Sequence, residues 1–140
     1  MALVIDAGAM FAQADSSQVG HDAVRRILLE ERGELVTSEL AAAEADYLIL
    51  DRLGPDVEAA FLEDLATGTF IVECLDRDGL GQARDIVARY RDLQIGLADA
   101  SLVVLASRHD TRRLLSFDER AFRTIAPLQG GSFTLLPADG

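Results

Sequence analysis

Short apolar runs alternate along this chain with longer segments in which apolar residues return every three or four positions. Leu3, Val4 and Ile5 form the first run, which Asp6 and Gly8 end; this predicts a buried strand entering a turn, with a helix following through Met10 and Phe11. Val24, Ile27 and Leu28 predict a helix within residues 20–32, and Gly33 supplies its stop. Leu35 and Val36 make a second strand, after which Ser38 is an N-cap for a helix reaching about Arg52, with Glu39 in its first turn. Gly54-Pro55 breaks that helix and opens another, whose apolar face is Val57, Ala60, Phe61 and Leu65 and which Gly68 ends. Phe70, Ile71 and Val72 form a third strand. Leu80, Ala83, Val87 and Tyr90 mark an amphipathic helix, and Leu97 to Ala106 is apolar nearly all round, the pattern of a buried central helix. Leu114-Leu115 and Phe133-Thr134-Leu135-Leu136 bring the strands to five, the last reached through a loop holding Pro127, Gly130 and Gly131. Short apolar strands between longer helices predict an α/β fold: a three-layer α/β/α sandwich around a mostly parallel sheet with right-handed crossovers.

Composition narrows this further. The chain has 140 residues, 49% of them hydrophobic, which is material for one core and one domain over residues 1–140. No stretch approaches the roughly 20 apolar residues that a bilayer span needs. The N-terminus lacks a basic leading segment and carries Asp6 within its apolar region, so it does not read as a signal peptide; a cytoplasmic protein with no membrane contact is expected. Cys74, the single cysteine, lies in an apolar run and is expected to be a small buried thiol without chemistry. His21 and His109 are expected on the solvated surface rather than as ligands.

The chain contains no lysine; all thirteen of its basic residues are arginine. Mechanisms that need a catalytic lysine are therefore excluded, phosphorelay receiver domains among them. A haloacid-dehalogenase-type phosphatase wants a second Asp two residues after its nucleophile, where this chain has Gly8. Gly79-Leu80-Gly81 lacks the third glycine of a dinucleotide fingerprint and is expected to be a helix-start turn, and neither a P-loop nor a nucleophile elbow is present. The net charge of −11 opposes binding of a polyanion, since nonspecific nucleic-acid affinity comes from basic side chains on phosphates.

The carboxylates carry the chemistry. In an open parallel sheet, ligands bind beyond the carboxyl ends of the strands. Asp6 follows the first strand and Asp118 follows the strand at Leu114, so both belong at that edge; each equally suits the N-cap of the helix after it. Glu44 has Leu40, Tyr47 and Leu48 at helical spacing around it, which places a carboxylate on an apolar face, either with a partner or at the margin reaching water. Asp99 lies in the first turn of the apolar helix, as a site residue or as an acid stabilising the helix dipole. Four converging carboxylates repel one another unless a cation neutralises them, and all-oxygen donors suit hard ions such as Mg²⁺ or Mn²⁺.

The segments Val4-Ile5-Asp6-Ala7-Gly8-Ala9, Val36-Thr37-Ser38-Glu39-Leu40-Ala41-Ala42-Ala43-Glu44, Gly96-Leu97-Ala98-Asp99-Ala100-Ser101 and Leu114-Leu115-Ser116-Phe117-Asp118 together resemble the PIN-domain nucleases. The resemblance spans nearly the whole chain, with four acids in the family's order and elements. It is closest in kind to the VapC toxins of type II toxin–antitoxin pairs. It implies that Asp6, Glu44, Asp99 and Asp118 are the catalytic acids, that Asp6, Asp99 and Asp118 hold one or two Mg²⁺ or Mn²⁺ ions, and that Ser116 is auxiliary, at a position where the family often has Ser or Thr. Gly8 departs from the pattern, since PIN domains commonly carry a hydroxyl there.

The activity implied is metal-assisted hydrolysis of RNA phosphodiester bonds, leaving 5′-phosphate and 3′-hydroxyl ends, with Asp99 or Asp118 orienting or deprotonating the water. A homodimer and a small antitoxin are implied as partners, the antitoxin lying along the helices between Ser38 and Leu65. Arg108, Arg112, Arg113, Arg120 and Arg123 crowd around the Asp118 motif, either as RNA phosphate contacts or as partners of the many surface acids. The alternative function is a PIN-like binding module without catalysis, which Gly8 and the acidic charge suggest.

Overall fold

Three consecutive aliphatic side chains cannot alternate between core and water, so Leu3, Val4 and Ile5 need cover on both faces of a sheet. In the computed structural model, which describes residues 1–140, all three are fully buried and form strand β1 (Leu3–Ile5) at the centre of a five-stranded sheet. The other strands are β2 (Leu35–Ser38), β3 (Ile71–Glu73), β4 (Arg113–Leu115) and β5 (Thr134–Leu136). Their order is β3-β2-β1-β4-β5, and every neighbouring pair is parallel. The predicted α/β class is thus the observed one. The strand order reverses direction between β1 and β4, and it is at such a switch point that the carboxyl edge of an open sheet splays into a crevice.

Seven helices cover the sheet: α1 (Ala7–Ala14), α2 (His21–Glu30), α3 (Glu39–Leu53), α4 (Pro55–Ala66), α5 (Arg77–Arg89), α6 (Leu97–Arg108) and α7 (Glu119–Thr124). The apolar run predicted to be a central helix is α6: residues 100–106 are all buried, and the helix packs on β1 and β2 with α5 against it. Helix α3 buries Ala41, Ala42, Ala45 and Ile49 against α1 and α6, and these small side chains permit a close approach. The Gly54-Pro55 break falls where predicted, with Gly54 at φ 90° and Pro55 opening α4.

Several local expectations are corrected. The third strand is displaced by one residue, so that Phe70 packs in the core before it and Glu73 ends it. Gly79 and Gly81 are inside α5 rather than in a turn before it, because the Asp76 carboxylate accepts from the Gly79 N–H at 2.8 Å and starts the helix earlier. The buried face of α5 accordingly runs through Gly79, Ala83 and Ile86, leaving Leu80 exposed. Cys74 is exposed rather than buried, since it falls in the connection after the edge strand β3. Neither histidine is merely solvated: His21 Nδ1 donates to the Ala12 carbonyl at 2.8 Å, and His109 Nε2 lies 2.5 Å from the Glu73 carboxylate.

Buried hydroxyls tie the layers together. Thr37 Oγ1 donates to the Ile5 carbonyl at 2.8 Å, and Thr111 Oγ1 donates to that of Ala2 at 2.7 Å. Ser101 Oγ donates to the Ala98 carbonyl at 2.5 Å, which makes Ser38 Oγ the donor in the 2.7 Å contact between the two serines. Ser38 also accepts from the Ala41 N–H at 3.0 Å, so one hydroxyl both caps α3 and pins it to the first turn of α6. Ser38→Ala should therefore destabilise the fold by about 2 kcal/mol, the sum of a lost cap and a lost buried bond. Ser101→Ala, which leaves the cap intact, removes the same inter-helix bond together with the bond to the Ala98 carbonyl and should cost a similar amount. Urea denaturation checks both, and a Ser38→Ala loss of only about 1 kcal/mol, the value of one bond, would remove the double role given to Ser38.

A candidate acidic metal site

The four acids singled out by the sequence line one open depression of about 390 Å³, together with Ala7, Gly8 and Phe117. They come from four elements. Asp6 caps α1 immediately after β1, Asp118 caps α7 three residues after β4, Asp99 is in the first turn of α6, and Glu44 is in the second turn of α3. The N-termini of α1, α6 and α7 thus bear directly on the depression, and Ser38 ties that of α3 to α6. Their partial positive charge favours anions, which lessens the cost of gathering carboxylates there.

Burial grades across the site. Asp6 is at the floor, only 8% exposed, Asp99 is half-buried, and Glu44 and Asp118 are exposed at the rim. Asp6 Oδ1 accepts from the Ala9 N–H at 2.8 Å, and Oδ2 accepts from the Ser116 hydroxyl. Ser116 Oγ in turn accepts from the Asp118 N–H at 3.0 Å, and Asp118 Oδ1 caps α7 through the Ala121 N–H at 3.1 Å. For Asp6 and Asp118 the two alternatives left open by the sequence are both realised, since each residue caps a helix and lines the depression. Ser116, singled out as auxiliary, links them.

For Glu44 the second alternative holds, a carboxylate at the margin of the face. The stripe of Leu40, Tyr47 and Leu48 around it only borders the core: Tyr47 is 69% exposed, Leu48 packs on the core in part, and the fully buried face of α3 is Ala41, Ala42, Ala45 and Ile49. Glu44 is therefore exposed without being enclosed by apolar groups. Sequence reasoning missed the buried Ser38–Ser101 pair, although a serine within the apolar run of residues 100–106 was a signal for a buried polar partner.

Three of the five arginines are misplaced for contact with RNA at this depression. Arg113 opens β4 at the amino end, Arg112 precedes it and Arg108 ends α6, whereas the acids follow the strands' carboxyl ends or start α6. Each is also engaged: Arg108 with Asp76 at 2.8 Å, Arg112 with the Gly130 and Gln129 carbonyls at 2.7 and 3.1 Å, and Arg113 with Glu31 at 2.7 Å. Arg123 is held between Asp139 and Glu119 at 2.6 and 3.1 Å, which raises its guanidinium pKa further and holds the Asp139 carboxyl down at about 2. Arg120 donates to the Leu93 carbonyl at 3.0 Å, and no carboxylate pairs with it.

Burial pushes the Asp6 carboxyl up to about 7, against the lowering effect of its bonds to Ser116 and Ala9, with repulsion from Asp99 and Asp118 adding to the rise. Asp99 is pushed up to about 6, by burial first and then by Asp118 and Glu44. No three His, Cys, Asp or Glu side chains are drawn together tightly enough to hold a metal ion by themselves. The donor set nonetheless fits a hard cation that keeps several waters: it is all oxygen, open to solvent, and two of its members carry charge that the fold alone does not neutralise. A zinc-like closed cage is ruled out by the same openness and donor chemistry.

The raised pKa of Asp6 makes stability depend on pH. An unfolded Asp ionises near 3.9. Between that value and about 7 the folded chain binds more protons than the unfolded chain at Asp6, so this contribution is fully present below pH 4 and is lost as pH rises through 7. In EDTA, stability from this source should fall between pH 4 and pH 8 by up to about 4 kcal/mol, because each tenfold difference in proton affinity between the two states corresponds to about 1.4 kcal/mol. Asp6→Asn should flatten the fall, measured by denaturant midpoints across that range; a variant whose stability drops as steeply as that of the parent would contradict the assignment.

Three comparisons bear on this site. Residues 3–127 match the family model of the PIN domain. The chain is 39% identical over 135 residues to Ribonuclease VapC26 of Mycobacterium tuberculosis, covering 96% of this chain and 100% of that one. Its fold superposes on the crystal structure of M. tuberculosis VapC20, described as a sarcin-ricin loop cleaving toxin, with TM-score 0.78, 17% identity and coverage of 84% and 90%. It also superposes on VapBC2 from Rickettsia felis bound to a DNA fragment from its promoter, with TM-score 0.66, 9% identity and coverage of 96% and 97%. With the four acids gathered at the carboxyl edge of a parallel sheet, these matches establish that the chain belongs to the PIN-domain family, within its VapC ribonuclease branch.

Proposed function

We propose that this protein is a metal-dependent endoribonuclease, the toxin of a toxin–antitoxin pair, and that its active site is the depression lined by Asp6, Glu44, Asp99 and Asp118. The observation that carries this is the convergence of all four acids, from elements spread along the whole chain, on one solvent-open hollow. Asp6, Asp99 and Asp118 would hold Mg²⁺ or Mn²⁺, with water and a substrate phosphate oxygen completing the shell. When bound, such an ion lowers the pKa of a water and offsets charge on the phosphoryl oxygens. The chain's own residues supply the rest. Ser116 fixes the Asp6 carboxylate by donating to Oδ2, the helix N-termini favour the phosphate, and Asp99 or Asp118 accepts the proton that the attacking water gives up.

The inactive binding module is the weaker alternative. Gly8 leaves the site without the usual hydroxyl, but Ser116 already donates to Asp6, and a Cβ at Gly8 would meet only Asp6 Oδ1, at 3.7 Å. Nothing in the packing demands glycine there. A homodimer and an antitoxin complete the proposal, with action in the cytoplasm; no helix is long and apolar enough to cross a membrane. An amphipathic antitoxin segment has an evident seat on α3 and α4, where Tyr47, Leu50 and Leu62 are exposed.

Purified protein incubated with total cellular RNA and Mg²⁺ or Mn²⁺ should cut at discrete sites, and EDTA should abolish the cuts. Asp6→Asn should reduce cleavage to below roughly one hundredth, because loss of a ligand exceeds the effect of losing a supporting group. Arg120→Ala should weaken cleavage, whereas Arg113→Ala should leave it intact and cost about 2 kcal/mol of stability by stranding Glu31. Metal-independent cutting, or an Asp6→Asn variant of full activity, defeats the nuclease assignment. Sedimentation should give twice the 15.1 kDa chain mass, and a Leu50→Asp variant should lose antitoxin binding while cleaving normally; a monomer, or a variant still inhibited, removes that part of the proposal.

A further inference from the structure

Every phenylalanine but one is packed inside. Phe11, Phe61, Phe70, Phe122 and Phe133 are at most 5% exposed, whereas Phe117 is 45% exposed. It lies between Ser116, which holds Asp6, and Asp118 of the acidic quartet, so its backbone is fixed by the site itself. Its ring lines the acidic depression and also a second hollow of about 360 Å³ beside it, with Gly8, Val19 and Gly20. Gly8 and Phe117 line both hollows, so the two share a wall.

A Cβ on Gly20 would lie 2.2 Å from Phe117 Cζ and 2.6 Å from Cε1, so the tip of the ring rests on a backbone that no side chain covers. Val19, fully exposed, extends the apolar surface beyond it. An aromatic ring kept half in water costs hydration free energy, and here it abuts a site that is otherwise carboxylate and backbone. RNA is read mainly through unstacked bases of single strands laid on aromatic faces, and one such stack contributes about tenfold or more in affinity.

We infer that Phe117 is a stacking platform for a nucleobase flanking the scissile phosphate, with the hollow between Gly8 and Gly20 as its subsite. This rests on the ribonuclease reading above. The wall that the two hollows share selects the occupant: a nucleotide whose phosphate sits over the acids has its neighbouring base within reach of the ring. Phe117 is a positioning residue, since it contacts the substrate away from the bond that breaks.

The test uses the cut site mapped from total RNA, carried on a short oligonucleotide in which each flanking nucleotide is made abasic in turn. Phe117→Ala should lower kcat/KM on the intact oligonucleotide roughly 5- to 100-fold, and Phe117→Tyr should restore it to within about twofold. On one of the abasic substrates the parent and Phe117→Ala should be equally slow. Gly20→Ala, which displaces the ring without removing it, should repeat the Phe117→Ala loss. An Ala variant as active as the parent, or one slowed equally on intact and abasic substrates, overturns the inference while leaving the nuclease intact. Independently of cleavage, a single-stranded RNA 12-mer with central 2-aminopurine should be quenched on binding the metal-free protein but not its Phe117→Ala variant. Quenching without any cleavage would sustain the stack and sink the nuclease; cleavage without a quench that depends on Phe117 would do the reverse.

Discussion

A carboxylate withdrawn from water at the end of the central strand is the constraint around which the fold is organised. Asp6 is buried with both oxygens bonded, one to the head of α1 and one to Ser116. A buried, charged group is tolerated only when such partners are in place. The bond to Ser116 requires β4 to lie directly beside β1, although more than 100 residues separate them in the chain. That adjacency is the switch point of the sheet, and it brings Asp118 and α7 to the same edge. The second anchor is the Ser38–Ser101 pair, which fixes the helices bearing Glu44 and Asp99 to each other.

Charge is handled in two ways. At the hollow, acids outnumber bases, and the opposing field comes from helix N-termini and from the metal proposed to bind there. Of the arginines around the Asp118 motif, four are engaged locally: Arg108, Arg113 and Arg123 each pair with carboxylates, and Arg112 serves a loop through backbone carbonyls. That cluster therefore does little to offset the net charge of −11, which opposes a polyanion.

Most of the architecture was legible because it is written in periodicity. The β1 run, the mostly apolar α6 and the Gly54-Pro55 break each admit one local interpretation, and the structure follows it. The four acids were legible because strand ends and helix first turns fix where a side chain emerges. What misled was spacing without context. Tyr47 and Leu48 stand at helical intervals from Glu44, yet only tertiary packing decides that the alanine side of α3 goes inward. The arginines cluster in sequence on both sides of β4, but a strand separates its two ends in space, so Arg113 and Asp118 look toward different edges. Cys74 was expected to be buried within an apolar run, but it follows an edge strand that stops at Glu73 and is exposed.

The strand order also governs when the site comes into being during synthesis. A ribosome that has released only the residues through β3 has exposed a chain whose central strand is open along one flank, with Asp6 lacking its serine and α6 not yet made. Three of the four acids wait on segments made after residue 38, and the last arrives with α7. On the proposed assignment of these acids, RNA cleavage is thereby withheld from unfinished chains by topology alone, without any inhibitor.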